Sequence, residues 1–376
     1  MLDYPLGRFL SRWYPTTRHE LAASESESWR LADLLALAAP EQRAQWQDLT
    51  LGYCDPCGSE PLRAGIAKLY NCITTDEVIA FAGAQEALSV VLRTLLMPED
   101  HAIVVVPCYQ PSERAVTELC TATGVALDAS RSWALDIARI EAAIQPNTRL
   151  LLLNLPNNPT GKLIPPADFA ALIALCRRHG LWLVNDEVYR LIDRDPTQRL
   201  PCVADAYERG ISIDAISKSH GLPGLRVGWM ACRDAGLRAR VATRKQTASL
   251  CLAAPSEILA EIALATSERL LARNRSIAAE NLARVDAFLA GQPHLFSWHR
   301  PEAGVVGYVR YHGADGVERF ATSMAQDCGV LVLPASVWRS ALAPLPEDRF
   351  RLGFGRRGAA DCLQTLRLAL AETIAA

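Results

Sequence analysis

The sequence lacks a long apolar run and an excess of basic residues, and each absence argues against a class of protein. No apolar run approaches the ~18 residues that a membrane-spanning helix needs. The formal net charge of -2 over 376 residues argues against a nucleic-acid partner, which would require an excess of Lys and Arg. The N-terminus contains Asp3, Arg8 and Arg12 and no continuous apolar segment, so we expect no signal peptide. These features predict a cytoplasmic protein with no membrane and no nucleic acid as partner.

The sequence also lacks an internal repeat, a low-complexity linker and a recognisable metal motif. It has 11 cysteines, which without a secretion signal favour reduced thiols in a cytoplasm. The one close pair, Cys54 and Cys57, has no second pair and no histidine partner at a spacing suited to zinc. No metal site is therefore predicted.

The order of apolar segments indicates the fold class. Strand-like apolar runs alternate with helical stretches from residue 77 onward, and near-continuous apolar strands are typical of a mostly parallel sheet with helices on both faces. The predicted strands are Val78–Phe81, Ala102–Val106, Leu150–Leu155, Leu181–Val184, Ile211–Ile216 and Leu225–Cys232, with helices at Gln85–Leu96, Ser112–Thr123 and Pro166–His179. Shorter strands follow near Val305–Tyr311, Val330–Val332 and Arg349–Phe354, before a closing helix at Ala359–Ile374.

This pattern predicts an α/β protein of two domains, which the chain length allows. The large domain, residues 46–285, would contain the mostly parallel sheet covered by helices. A small α+β domain would be built from both chain ends, residues 1–45 and 286–376. Ligands bind at the carboxyl ends of the strands in such a sheet, and the polar motifs of this sequence fall there.

The most informative stretch joins a lysine to an arginine at the end of a predicted strand. Lys218 and Arg226 flank a turn made by Gly221, Pro223 and Gly224, which brings the arginine back toward the lysine. A lysine partly withdrawn from water titrates low and forms a Schiff base with a carbonyl compound. A guanidinium beside it binds a phosphate through two parallel hydrogen bonds. A carbonyl compound that carries its own phosphate is pyridoxal phosphate.

Two further strand ends carry groups suited to a pyridine ring. Asn158, in Asn157-Asn158-Pro159-Thr160-Gly161, follows an apolar strand in a turn that sets the direction of its amide. Asp186 ends the next apolar strand, where a carboxylate is costly unless it is paired with a cation. A protonated pyridine nitrogen is such a cation, and the ion pair keeps the ring an electron sink. Tyr189, three residues on, is a candidate donor to the phenolate oxygen that Asn158 would also contact.

Weaker signals complete the predicted cofactor site. Gly83, Ala84 and Gln85 lie between a strand and a helix start, where backbone N–H groups and the helix terminus favour a phosphate. Tyr109 ends the following strand, where an aromatic ring can stack on a pyridine ring. The alternative for Tyr109 is a tyrosine packed within its loop.

Arg351 is the candidate substrate ligand. Strand alternation places Phe350, Leu352 and Phe354 on one face and Arg349, Arg351 and Gly353 on the other. A buried guanidinium needs an anion, and the α-carboxylate of an amino acid fits its fork. The alternative is an exposed arginine on an edge strand.

A serine- and glutamate-rich cluster, residues 24–28, leaves two interpretations open. Ser28 is placed to cap a helix from about Trp29 to Ala39, with Glu25 and Glu27 favoured by the dipole at its start. Alternatively, this segment lines the substrate pocket. Glu25, Glu27 and Trp13 are then candidates at the pocket mouth.

Taken together, these motifs resemble those of fold-type-I pyridoxal-phosphate enzymes, the class I/II aminotransferase superfamily. The resemblance covers roughly residues 45–375. It implies that Lys218 holds the cofactor and moves the proton of the substrate, and that Asp186, Tyr189 and Asn158 hold the ring. It also implies that Ala84, Gln85, Ser217 and Arg226 hold the phosphate and that Arg351 binds the substrate carboxylate.

The resemblance further implies a homodimer with shared active sites. Tyr53 matches a tyrosine that reaches the phosphate bound by the neighbouring subunit. Two positions depart from the pattern: Ala215 stands where a serine is usual, three residues before the lysine, and Ala335 where a glycine is common. Neither departure removes chemistry.

The cofactor motifs leave the reaction open, because one bound cofactor supports several reactions of an amino acid. Transamination between an L-amino acid and a 2-oxo acid is the leading hypothesis; elimination, replacement and cyclisation are the alternatives. The stretches Phe9–Trp13 and Ser24–Leu35 also resemble those of capreomycidine synthase, which cyclises a hydroxylated arginine. A non-catalytic binding module is disfavoured because Lys218 and Asp186 are both present.

Overall fold

The computed structural model describes residues 5–375. The N-terminal segment packs against elements that come later in the chain. It contains helix α1 (Pro5–Trp13), the two-residue strand β1 (His19–Glu20) and helices α2 (Leu31–Leu35), α3 (Pro40–Gln47) and α4 (Glu60–Ala67). Residues 21–30 form neither helix nor strand. The predicted helix over Trp29–Ala39 is therefore wrong in its bounds: α2 covers five residues, and Pro40 starts a separate helix because its fixed φ suits a first turn.

A seven-stranded sheet forms the centre of the molecule. Its strands are β2 (Val78–Phe81), β3 (His101–Val106), β4 (Thr121–Ala126), β5 (Thr148–Asn154), β6 (Trp182–Asp186), β7 (Gly210–Ala215) and β8 (Gly228–Ala231). The spatial order is β2-β8-β7-β6-β5-β3-β4. The five strands from β7 to β4 are parallel, whereas β8 runs antiparallel to both of its neighbours.

Helices cover both faces of this sheet, as the apolar strands predict. They are α5 (Ala84–Leu95), α6 (Gln110–Thr117), α7 (Ile137–Ala142), α8 (Pro166–His179), α9 (Val203–Ala206), α10 (Ala235–Gln246) and α11 (Ala254–Ala265). The two faces pack into separate hydrophobic clusters, with Ile103 and Leu151 on one side and Ala102 and Leu150 on the other. Alternate residues of one strand therefore enter opposite cores.

The long helix α12 (Ser267–Ala290) leads from the large sheet to a second, four-stranded sheet. The remaining elements are β9 (Phe296–Trp298), β10 (Val306–Tyr311), α13 (Val317–Asp327), β11 (Val330–Leu331), β12 (Leu333–Pro334), β13 (Arg349–Gly353) and α14 (Ala359–Ala375). The small sheet is antiparallel in the order β12-β13-β10-β9, and β1 pairs with β11. The predicted division at residues 45 and 285 stays a prediction, and its ends at 1–4 and 376 lie outside the described residues.

Three other predicted elements differ from the structure. The helix predicted to reach Thr123 ends at Thr117 and gives way to β4, an edge strand whose Thr, Ala and Gly residues are mostly part-exposed and carry no apolar run. The strand predicted from Leu225 begins at Gly228, because Arg226 has a positive φ of 52° after a 3-10 turn. The predicted strand Val330–Val332 is divided between β11 and β12. Among the described residues, no helix is long and apolar enough to cross a membrane.

Candidate active site

A cavity of about 300 Å³ lies at the carboxyl ends of β5, β6 and β7. Strands β5 and β6 end at Asn154 and Asp186, and β7 ends at Ala215, three residues before Lys218. Ten of the residues predicted from sequence line this cavity: Ala84, Gln85, Tyr109, Asn158, Asp186, Tyr189, Ser217, Lys218, Arg226 and Arg351. The topology of the sheet thus brings together residues that are as much as 267 positions apart in sequence, from Ala84 to Arg351.

Asp186 is the buried anion of the cavity. It is only 7% exposed, and burial raises the pKa of its carboxyl to about 6, against the effects of the Val188 N–H and the Lys218 charge. The Val188 N–H donates to Oδ1 over 3.3 Å. Among the described residues no cation lies within ion-pair distance of this carboxylate, so the site has room for a cationic partner.

The asparagine loop is fixed by its own side chains. Asn154 Nδ2 donates to the Asp186 carbonyl over 3.0 Å, and Asn154 Oδ1 accepts from the Asn158 N–H over 3.1 Å. Asn157 Nδ2 donates to the Pro107 carbonyl over 2.9 Å, while its Oδ1 accepts from the Thr160 hydroxyl over 2.7 Å. The first asparagine therefore ties β5 to β6, and both asparagines hold Asn158 at the cavity wall.

The predicted phosphate corner combines a helix start with a guanidinium. Helix α5 begins at Ala84, directly after Gly83, whose φ is +94°. A Cβ at Gly83 would lie 2.4 Å from Arg226 Nη2 and would displace that guanidinium, and the positive φ favours glycine at this position. Ser217 and Gln85 face the same corner, and the Tyr109 hydroxyl donates to Gln85 Oε1 over 3.4 Å.

Lys218 lines the cavity beside residues 24 and 25 of the N-terminal segment. Its Nζ donates to Ser24 Oγ over 2.7 Å and is 3.7 Å from Glu25 Oε2. Burial lowers the pKa of the Lys218 amine, and the Glu25 carboxylate acts in the opposite direction. The Tyr189 hydroxyl donates to the Ser24 carbonyl over 2.7 Å.

Arg351 points from β13 into the cavity and is 4% exposed. Its Nη1 donates to Asn158 Oδ1 over 3.1 Å and its Nη2 to the Ala22 carbonyl over 2.6 Å. Phe350 and Leu352 pack into the core cluster behind it. The strand alternation read from the sequence is thus confirmed, and the exposed edge-strand alternative is wrong.

The cap interpretation of residues 24–28 is wrong, because no helix starts at Ser28 and the segment passes alongside Lys218. The residue that precedes α2 is Arg30, with no side-chain cap. Ser24 and Glu25 line the cavity, whereas Glu27 accepts a hydrogen bond from the Arg357 N–H over 2.9 Å. Trp13 is buried in a core cluster. Of the three candidates at the pocket mouth, the cavity therefore includes Glu25 alone.

Three ionisable residues in or beside the cavity are missed by sequence reasoning. Tyr14 and Glu20 line the cavity, and Arg356 forms ion pairs with both Glu20 and Glu25. The available signal is faint: Glu20 lies in the two-residue strand β1 and Arg356 three residues after β13, and nothing in either local pattern connects them. Tyr53, in contrast, is 90% exposed and is not among the cavity residues of its own chain.

The donor set fits pyridoxal phosphate. The buried Asp186 carboxylate faces the cavity without an ion-pair partner in the described part of the chain, as a site for a protonated ring nitrogen requires. At the other end, the start of α5 and the Arg226 guanidinium form a cradle at Gly83 that a Cβ would fill. An amine, a carboxylate and an anion cradle around one cavity are the groups that a pyridoxal-phosphate enzyme requires.

The chain belongs to the aminotransferase class I and II family, whose model matches residues 25–361. The arginine–pyruvate transaminase AruH of Pseudomonas aeruginosa is 36% identical over 206 residues, which is about half (51%) of each chain. Capreomycidine synthase of Streptomyces vinaceus is 26% identical over 93% of this chain and 88% of its own. The structure of a PLP-dependent aminotransferase from Streptococcus suis superposes with a TM-score of 0.92 at 26% identity, covering 98% of both chains.

These findings confirm the family resemblance, the fold class, the aminotransferase class of enzyme and the pyridoxal-phosphate cofactor. The individual roles given to the site residues stay predictions.

Proposed function

We propose that the chain transfers the amino group of a basic L-amino acid to a 2-oxo acid. The observation that carries this proposal is the charge left in the cavity once the cofactor and the substrate backbone are accommodated. The charged residues that line it, among those described, are three carboxylates and three cations: Glu20, Glu25, Asp186, Lys218, Arg226 and Arg351.

Four of these charged residues would act at the reacting end of the substrate. Bound pyridoxal phosphate supplies an electron sink for the charge that develops at the substrate Cα. Asp186 would hold the ring nitrogen and Arg226, with Ser217 and the start of α5, the phosphate. Arg351 would bind the substrate α-carboxylate through its fork, and Lys218 Nζ would take the Cα proton and return it.

The rest of the ring would be held by neutral side chains. Asn158 and Tyr189 are placed to donate to its phenolate oxygen, and Tyr109 to stack on its face, as the family pattern implies. The Tyr189 hydroxyl now donates to the Ser24 carbonyl, so a contact with the cofactor would require that hydroxyl to change partner.

Glu20 and Glu25 remain, and both face the part of the cavity where a donor side chain would extend. The Arg356 guanidinium forms ion pairs with both carboxylates but does not itself line the cavity. Once Lys218 is bonded to the cofactor, two carboxylates against one guanidinium leave a net negative charge, to which the Tyr14 hydroxyl adds a hydrogen-bonding group. A guanidinium or ammonium at the end of the donor side chain complements this surface, whereas a second carboxylate would be repelled.

Two relatives are consistent with a basic donor. One is named an arginine–pyruvate transaminase and the other a capreomycidine synthase. Neither name fixes the donor of this chain, and the charge of the cavity is the stronger support.

The test is a spectroscopic panel of L-amino acids added to the cofactor-loaded protein without any 2-oxo acid. We expect arginine-like or lysine-like donors to abolish the visible absorbance of the bound cofactor, with release of the matching 2-oxo acid. Glu20→Gln should lower kcat/KM for these donors by about tenfold, the usual scale for one charge-assisted contact. Glu27→Gln is the matched control, because Glu27 is outside the cavity. Equal rates for basic and acidic donors would refute the donor class.

A cyclising or eliminating enzyme is the second candidate, since capreomycidine synthase is similar over 93% of this chain. The same panel separates the two reactions. A donor that changes the spectrum only transiently, with a cyclised product or ammonia found by mass spectrometry, would favour this candidate over transamination.

We also propose that the chain acts as a homodimer with shared active sites in the cytoplasm. Leu51 and Tyr53 are 79% and 90% exposed, which is unusual for large apolar side chains and suits a subunit interface. The described cysteines are all free, as a reducing compartment would keep them.

A further inference from the structure

The catalytic lysine is held by a segment that the family roles do not use. Residues 21–29 form neither helix nor strand and lie between the lysine loop and β13. On one side, the Ser26 N–H donates to the Lys218 carbonyl over 3.1 Å. On the other, the Leu21 carbonyl accepts from the Gly353 N–H over 2.7 Å and the Glu27 N–H donates to the Gly355 carbonyl over 2.8 Å. This segment is therefore fixed to both walls of the cavity.

Two side chains of this segment reach the lysine nitrogen directly. Ser24 Oγ accepts the hydrogen bond from Lys218 Nζ over 2.7 Å, and Glu25 Oε2 is 3.7 Å from the same nitrogen. Glu25 is held in place by its ion pair with Arg356. The contact is thus made by a carboxylate with a fixed position and a fixed second partner.

The charges around Lys218 come from four elements. Asp186 on β6 and Glu25 on the N-terminal segment favour the ammonium form. Arg351 on β13 and Arg226 after the 3-10 turn oppose it, as burial does. Of the two carboxylates, Asp186 is the proposed partner of the ring nitrogen, so in the loaded protein Glu25 is the anion left to face the lysine.

We propose that Glu25 is the counterion of Lys218 and that Ser24 fixes the position of its nitrogen. Both are positioning residues for the catalytic lysine. This inference rests on the proposed function only in taking Lys218 as the residue that bonds the cofactor.

The consequence concerns the protonation state of the amine. Lys218 must be neutral to form a C=N bond with the aldehyde carbon of pyridoxal phosphate, a step in which the aldehyde oxygen leaves as water with both amine protons. A carboxylate near Nζ keeps the amine protonated to higher pH and so slows this step at neutral pH. Arg356 weakens that effect because it shares the carboxylate.

The test measures the capture of pyridoxal phosphate by the cofactor-free protein as a function of pH, from the rise of visible absorbance. In Glu25→Gln the midpoint of the rate profile should move to lower pH, with capture several-fold faster below the parent midpoint. Arg356→Gln should move the midpoint to higher pH, because Glu25 then has Lys218 as its main cation. Shifts of opposite sign are not expected from general damage to the fold.

Two controls complete the series. Glu27→Gln, two positions along the same segment, should leave the midpoint unchanged, and Glu25→Asp should keep it closer to the parent than Glu25→Gln does. Parent-like midpoints in both Glu25→Gln and Arg356→Gln would overturn the inference while leaving the proposed function intact. If Lys218→Ala captured the cofactor with the same absorbance, the role of Lys218 in the proposed function would fail instead.

Discussion

Lys218 and Asp186 face one cavity with opposite charges, and burial works against the ionised form of each. Proteins usually keep buried charged groups of this kind, despite their energetic cost, at sites where the chemistry needs them. Replacing either side chain alone should therefore have a measurable effect.

Lys218→Ala should abolish the covalent attachment of the cofactor. The variant lacks the nitrogen that forms the C=N bond, so dialysis should remove its visible absorbance and nearly all turnover should be lost. Absorption spectra before and after dialysis check this. Lys162→Ala is the control, since Lys162 pairs with Glu302 outside the cavity, and it should keep the parent spectrum.

Asp186 should make the cofactor-free protein less stable as the pH rises. Burial raises the folded pKa of its carboxyl to about 6, above the ordinary value near 3.9. Folding is therefore favoured below pH ~4 and loses up to about 3 kcal/mol between pH ~4 and ~6, since one pKa unit corresponds to about 1.4 kcal/mol. Asp186→Asn lacks this loss.

Urea unfolding of the cofactor-free parent and Asp186→Asn at pH 4.5 and 7.5 measures this difference. The variant should gain on the parent at the higher pH. A stability difference that is the same at both pH values would contradict the assigned burial of this carboxylate.

The site residues that can be predicted from the sequence are those that lie at the ends of apolar strands. Lys218, Asp186 and Asn158 each follow an apolar run, and parallel strands bring their carboxyl ends to one edge. Glu20 and Arg356 escape prediction because their contact joins the two ends of the chain. Periodicity and turn residues carry no information about such a pairing.

At the scale of elements, buried strands are predictable and exposed or irregular segments are not. The predicted strand Val78–Phe81 and the predicted helix Pro166–His179 match β2 and α8 at both bounds. Strand β4 is missed because it lies at the sheet edge and lacks an apolar run. The path of residues 21–29 is missed because hydrogen bonds to the lysine loop and to residues 353 and 355 fix it.

Gly353→Ala should displace this N-terminal segment. A Cβ at Gly353 would lie 1.7 Å from the Ala23 carbonyl oxygen, which is backbone and has to move. Ser24 and Glu25 would move with it, so kcat/KM should fall about tenfold or more and the pH midpoint of cofactor capture should shift.

Gly358→Ala is the matched control, because a Cβ there has no neighbour within 4 Å. Kinetic assays and thermal melts of both variants test the prediction. A Gly353→Ala protein with parent activity would show that the segment does not position the site.

At the scale of the whole molecule, the cavity of one chain does not include Tyr53, although the family pattern gives this residue a phosphate contact. The exposure of Tyr53 in one chain is explained if, in a dimer, Tyr53 of each subunit lies at the cavity of the other subunit. In a two-fold symmetric dimer each subunit then receives one tyrosine and donates one.

Mixed dimers provide the test of this arrangement. Lys218→Ala and Tyr53→Ala homodimers should each be impaired, but a hybrid of the two has one site with both residues intact. Equal mixing with free subunit exchange should therefore restore about a quarter of the parent activity, because about half of the dimers are hybrids with one complete site of two. Mixing Lys218→Ala with Asp186→Asn is the control: both residues lie in the cavity of the same chain, so neither hybrid site is complete. Recovery in the first mixture alone would place Tyr53 in the partner's site, whereas recovery in neither mixture would mean that each subunit carries its own complete site.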